Sequence, residues 1–312
     1  KGEYQGVTMR HDGCVNMSIF SPKGDRILTI SSDSTAKLWD IDGRNLGKIM
    51  RHGGNVCYAA FSPKGDCILT ASVDSTAKLW NEVGEQISAP MLHEGCVNMA
   101  IFSPKGNYIL TASSDSTARL WDPNGNCLAT MKHNECVSSV DFSADEEYIV
   151  TASWDNTIKL WNNKGEQVGE TMVHDSQIND VTFSPRGEYI AAALNDKIVQ
   201  VWDVDGVKNF ISHPSEINSM EFSHDGRYIV IGYKDSTAIL WDLNTKGAGK
   251  KYAGSVNSAS FNNDGSCVVT SSNDSTVRLW DLNGNQLTKP MRHNAPVSSA
   301  SFNRNGRYVV TT

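Results

Sequence analysis

Residues 93–121 read HEGCVNMAIFSPKGNYILTASSDSTARLW, and the fold follows from the way this string returns along the chain. The histidine that opens it has counterparts at His11, His52, His133, His174, His213 and His293. Tyr252 stands in the same column, and the successive spacings are 41, 41, 40, 41, 39, 39 and 41 residues. Nine residues further on, every copy carries phenylalanine, from Phe20, Phe61 and Phe102 through Phe142, Phe183 and Phe222 to Phe261 and Phe302. Twenty-eight residues on stand Trp39, Trp80, Trp121, Trp161, Trp202, Trp241 and Trp280. One period thus absorbs seven of eight tryptophans, seven of eight histidines and eight of nine phenylalanines. A period near forty residues marks units that bury their faces only against their neighbours.

No unit holds a helix-length segment with a 3.6-residue period. In the quoted copy, Val97 to Phe102, Tyr108 to Ala112, Thr117 to Trp121 and Cys127 to Met131 are strand-like runs. They are separated by the turn sequences Ser103-Pro104-Lys105-Gly106, Ser113-Ser114-Asp115 and Pro123-Asn124-Gly125-Asn126. Four short antiparallel strands in about forty residues form the blade of a β-propeller. This architecture lets all 312 residues form one domain. The units fall near 1–40, 41–81, 82–122, 123–162, 163–203, 204–242 and 243–281, with a partial unit at 282–312. The expected fold is all-β, an eight-bladed propeller with an incomplete last blade. The alternative is a seven-bladed ring closed by residues 1–9, with extra C-terminal strands. Lys1 to Met9 reads as an outer strand because Met9 stands where Met50, Met91, Met131, Met172 and Met291 stand.

These residues resemble the WD40 family over the whole chain. Trp-Asp pairs occur at Trp39-Asp40, Trp121-Asp122, Trp202-Asp203, Trp241-Asp242 and Trp280-Asp281, with Asn81 and Asn162 in place of the acid elsewhere. The resemblance implies a buried tetrad in each unit: His11, Thr29, Asp33 and Trp39 in the first, and His52, Thr70, Asp74 and Trp80 in the second. In the third and fourth it implies His93, Thr111, Asp115 and Trp121, then His133, Thr151, Asp155 and Trp161. Ala192 and Ile231 replace the hydroxyl in units five and six, and Tyr252 replaces the histidine in unit seven, so weaker internal networks are expected there.

Composition removes several function classes. The formal net charge is −7, which disfavours a general binder of nucleic acid or of anionic membrane. No apolar run approaches the roughly 18–20 residues of a spanning helix, and no basic-then-apolar leader opens the sequence. Seven cysteines without a C-x-x-C pair point to free thiols in a reducing, cytoplasmic setting. No metal, cofactor or catalytic motif is indicated.

The resemblance places the upper-face loops three and five residues after the histidine and just before the tetrad aspartate. Asn16, Asn98, Asn179, Asn218 and Asn257 fall in the second of these columns, and they suit a peptide backbone because each amide both donates and accepts. Glu216 and Lys234 are the one acid and the one base in these columns. Trp154 is the only tryptophan outside the repeat step, and it lies among serines and asparagines as a candidate interface anchor. Leu194 and Tyr233, one position earlier in neighbouring units, extend it into an apolar arc. The expected function is therefore a non-enzymatic, monomeric scaffold that holds a protein or peptide on its upper face and rim. The close similarity of the first three units is similar to long WD40 arrays in larger signalling proteins, which implies a sensor or regulatory propeller. The alternative is an enzyme or small-ligand site in the central channel, using Asp141, Asp180 or Glu221.

Overall fold

β-Branched and aliphatic runs bounded by Gly, Pro, Asn and Asp pair into short antiparallel ladders throughout the computed structural model, which describes residues 8–203, 208–235, 237–244, 247–253 and 256–312. The first unit sets the pattern: β1 (Val15–Phe20), β2 (Arg26–Ser31), β3 (Thr35–Asp40) and β4 (Met50–Arg51), hydrogen-bonded in that order from the axis outward. Six further four-stranded sheets repeat it. The quoted unit forms Val97–Phe102, Ile109–Ser113, Thr117–Trp121 and Cys127–Lys132.

Ala300–Phe302 and Val309–Thr311 form an extra two-stranded sheet after the seven complete blades. Its place follows from packing. Val297 and Ala300 join Val269 and Val277 of blade seven in one core cluster, while Val310 packs against Ile27 and Trp39 of blade one. The two strands thus fill the gap between the last blade and the first, and the ring has eight positions. Met9 joins the Val310 cluster, whereas residues 1–7 of the expected outer strand lie outside the described residues.

The core is distributed. Each hydrophobic cluster sits between two consecutive sheets, as where Leu28, Ile30 and Leu38 of blade one meet Val56, Ile68 and Trp80 of blade two. Burial of both sheet faces explains why the second strands are buried along their length rather than at alternate positions, with threonine and serine among their aliphatic residues.

Two local features position the faces of the ring. The innermost strand carries a β-bulge in the first six blades. Val15 pairs with Ser31 and Met17 with Ile30, so Asn16 is left over; the same slip leaves out Cys57, Asn98, Ser138, Asn179 and Asn218. A bulge re-aims the extra residue away from the ladder, and here it turns every one of these side chains but that of Asn179 sideways toward the next blade. On the opposite face, Ser-Pro-Lys-Gly turns place Gly24, Gly65 and Gly106 at φ of 72°, 76° and 80°. Blade four has Glu146 at this point with φ of 68°, a left-handed conformation in which a non-glycine residue carries strain.

Candidate partner-binding face

In blades one to four the histidine, threonine, aspartate and tryptophan form one chain of hydrogen bonds. In blade three the Trp121 Nε1–H donates to Thr111 Oγ1 at 2.9 Å, Thr111 Oγ1 lies 2.7 Å from His93 Nε2, and His93 Nδ1 lies 2.9 Å from Asp115 Oδ2. Since the Asp115 carboxylate can only accept, the proton on a neutral imidazole is assigned to Nδ1, and Nε2 then accepts from the Thr111 hydroxyl. Burial disfavours the imidazolium and pushes His52 and His133 down to about 4, although Asp74 and Asp155 pull the other way. The aspartate also accepts from the backbone of the upper loops, as Asp115 does from the Glu94 and Thr117 N–H groups. These tetrads pin the loops of the upper face to the blades.

Blades five and six differ. With Ala192 and Ile231 in the threonine position, the indole N–H groups of Trp202 and Trp241 have no hydrogen-bond acceptor among the described residues. In blade six His213 lies 3.6 Å from Asp235 and stacks on Tyr233, with ring centroids 4.0 Å apart. In blade seven Trp280 donates to Thr270 at 2.9 Å; the Tyr252 side chain lies outside the described residues.

The asparagine column has a structural task that its residue type does not reveal. Asn16, Asn98, Asn218 and Asn257 donate through Nδ2 to the carbonyls of Val56, Val137, Val256 and Val297, each on the next blade, at 2.8–3.1 Å. Cys57 and Ser138 donate likewise to Val97 and Ile178. These are the bulge residues in five of the six cases, so the amides expected to meet a partner instead staple blade to blade. Asn179 is the exception. It is exposed, and its Nδ2 reaches Asn195 of its own blade at 3.5 Å.

Two other expectations are corrected. Tyr233 is 0% and Leu194 1% exposed. In blades two to four the same column holds serines that bond to nearby carbonyls. Leu194 and Tyr233 fill that space with carbon and join the cores between blades four and five and between five and six, so no exposed apolar arc runs across these blades. Glu216 and Lys234, both exposed, pair with each other.

Trp154 remains. It is 45% exposed at the loop between the second and third strands of blade four. Its backbone N–H donates to the Cys136 carbonyl at 2.9 Å, which fixes the loop, while Asn98, Ser114 and Cys136 bond to one another beside it. Among the described residues, no cluster of His, Cys, Asp or Glu is arranged to hold a metal ion. No helix among them is long and apolar enough to cross a membrane.

Comparison with known families agrees with this architecture. Residues 2–40 and 43–81 match the WD40 repeat, described as the WD domain or G-beta repeat. Residues 91–312 match the family described as the IFT122 first beta-propeller. The chain belongs to the IFT122 first-propeller family. No individual curated protein matched it. The match to the IFT122 first-propeller family runs through blades three to seven and includes the two-stranded sheet, so that sheet lies within the family's own span.

The sequence reading overlooked Glu146. Its signal is a glutamate where the other described units have glycine. Its buried carboxylate accepts from the Lys105 N–H at 2.6 Å and from Asn107 Nδ2 at 2.8 Å, bracing blade four against blade three on the lower face. These two bonds offset the strain of its positive φ.

Proposed function

We propose that this propeller is a non-catalytic protein-interaction scaffold whose upper face holds a peptide or protein partner, with Trp154 as the apolar anchor. The observation that carries the reading is a half-exposed indole on a loop fixed by its own backbone, in a column otherwise formed by small or polar side chains and one valine. A rigid loop loses little freedom on binding, so more of the contact energy appears as affinity. Buried tryptophans are frequent hot spots, typically costing about 2 kcal/mol or more on truncation. Membership of the IFT122 first-propeller family supports components of an intraflagellar transport assembly as the first partners to test, and a cytoplasmic setting is part of the same reading.

The test compares wild type with Trp154→Ala in binding to such components, by surface plasmon resonance. An affinity loss of roughly thirtyfold or more at unchanged melting temperature is expected. Equal affinities would remove Trp154 from the interface.

A further inference from the structure

At the upper face, the residue left over by an inner-strand bulge meets the residue three places after the histidine of the next blade. Between blades one and two the Asn16 Nδ2–H donates to Asn55 Oδ1 at 2.6 Å, and between blades three and four Asn98 Nδ2 lies 3.2 Å from Cys136 Sγ. At the seam in the middle, between blades two and three, both of these places hold cysteine: Cys57 is the bulge residue and Cys96 stands three after His93.

The two side chains enter this seam from opposite sides. Cys57, on blade two, donates its S–H to the Val97 carbonyl of blade three at 3.0 Å and lies 3.5 Å from the Ala71 carbonyl of its own blade. Cys96, the chain neighbour of Val97, reaches back to the Val73 carbonyl of blade two at 3.5 Å. Both sulfurs therefore rest against residues 71–73 of blade two. Cys57 also feels the charge of Cys96. The other cysteines stand apart from the pair. Cys136 is engaged by Asn98 and Ser114 one seam further on, Cys14 precedes the first strand, and Cys67, Cys127 and Cys267 open strands away from the upper loops.

Access gives the two thiols different parts. Burial pushes the Cys57 thiol up to about 11, the neighbouring Cys96 adding to the effect, and its bonds are half-buried. The bond from Cys96 is exposed. Cys96 is thus the sulfur that meets an oxidant from solvent, and Cys57 is the resolving sulfur behind it.

We propose that Cys57 and Cys96 form a peroxide-sensitive dithiol whose oxidation closes a disulfide between blades two and three. The Cys96 sulfur attacks one oxygen of the peroxide, the O–O bond breaks, and water leaves a sulfenic acid. The Cys57 sulfur then attacks the Cys96 sulfur, the S–O bond breaks, and a second water leaves as the S–S bond forms. Two thiols and one hydrogen peroxide give one disulfide and two waters, the sulfurs losing the two electrons that the peroxide gains. The bond is a covalent counterpart of the asparagine staples at the seams on either side, and it stands independently of the Trp154 reading.

Peroxide treatment of the reduced whole chain, followed by alkylation of the remaining thiols and non-reducing peptide mapping by mass spectrometry, tests this. A Cys57–Cys96 cross-link is expected at least about tenfold above any other pair, because the fold holds these two reactants together. Dithiothreitol should remove it, and in urea the preference should vanish. Cys57→Ser keeps a donor in the bulge, as Ser138 does in blade four, and leaves Cys96 without its resolving thiol. Dimedone should then label Cys96 far more strongly than in wild type. A Cys57–Cys96 cross-link no more abundant than other pairs, an equal preference in urea, or equal dimedone labelling of Cys96 in both chains would overturn the proposal. Should Cys57→Ser fail to fold, the wild-type map with and without urea still decides.

Discussion

Blades three and five are built from the same four strands and carry the same bulge, yet they are held together differently. Blade three connects Trp121, Thr111, His93 and Asp115 in one buried chain, and its Asn98 reaches across to the backbone of blade four. Blade five has Ala192 where the threonine stands, leaves the Trp202 N–H without an acceptor among the described residues, and keeps Asn179 on its own side of the seam. The seam between blades five and six compensates with carbon: Ala193, Val201, Ile211, Phe222, Ile229 and Tyr233 share one core. A propeller blade therefore tolerates loss of its polar network when the neighbouring seam gains apolar contact. The two kinds of cohesion respond differently to substitution and to acid.

The largest difference is expected at the threonine. Thr111→Ala orphans the His93 Nε2 and the Trp121 indole N–H, both buried, and should cost about 2–4 kcal/mol in urea unfolding. The opposite change, Ala192→Thr, supplies the missing acceptor to Trp202 and should stabilise by about 1 kcal/mol. A small cost at Thr111 would show that the tetrad contributes geometry without energy.

Acid should act through the same blades. Because His52 and His133 lie near 4 when folded but near 6.5 in an open chain, the unfolded state binds more protons between those values. Stability is thus intact above about pH 6.5 and falls as pH drops toward 4. Burial raises Asp115, but bonds from Thr117, the Glu94 backbone and His93 outweigh it and hold the group at about 2, so a further loss follows between about 3.8 and 2. Thermal melts from pH 7.5 to 4 read the first window. A melting temperature independent of pH there would contradict the buried neutral imidazoles.

The smallest effect lies at the seams. Asn98→Ala should lower stability by about 1 kcal/mol, and Asn179→Ala by less than about 0.5, since only the first bonds to the next blade. Equal losses would place the staple elsewhere.

Much of this was legible beforehand, and for stated reasons. A period that captures nearly all histidines, tryptophans and phenylalanines leaves little freedom in the number or order of strands. Residues 282–312 were readable as a partial unit, and Ala300–Phe302 and Val309–Thr311 within them form the two-stranded sheet at the eighth position. The candidate site was less legible. The asparagine column looked available because a sequence records residue type without direction, and the bulge that turns Asn16 or Asn98 toward its neighbour exists only in the pairing register. Leu194 and Tyr233 were misplaced for a related reason. A column that is serine in one blade and tyrosine in another shows that the space varies, not whether water or protein fills it.

The sequence by itself determined the repeat, the four-strand unit and the identity of the groups available for hydrogen bonding, because these depend on local pattern and on side-chain chemistry. Tertiary structure alone decided which groups remain free. Closing the sheets into a ring brings Asn98 to Val137, Glu146 to Lys105 and Asp141 to Phe183 across blade boundaries, and a contact between residues some forty positions apart is set by how neighbouring sheets pack rather than by either strand alone.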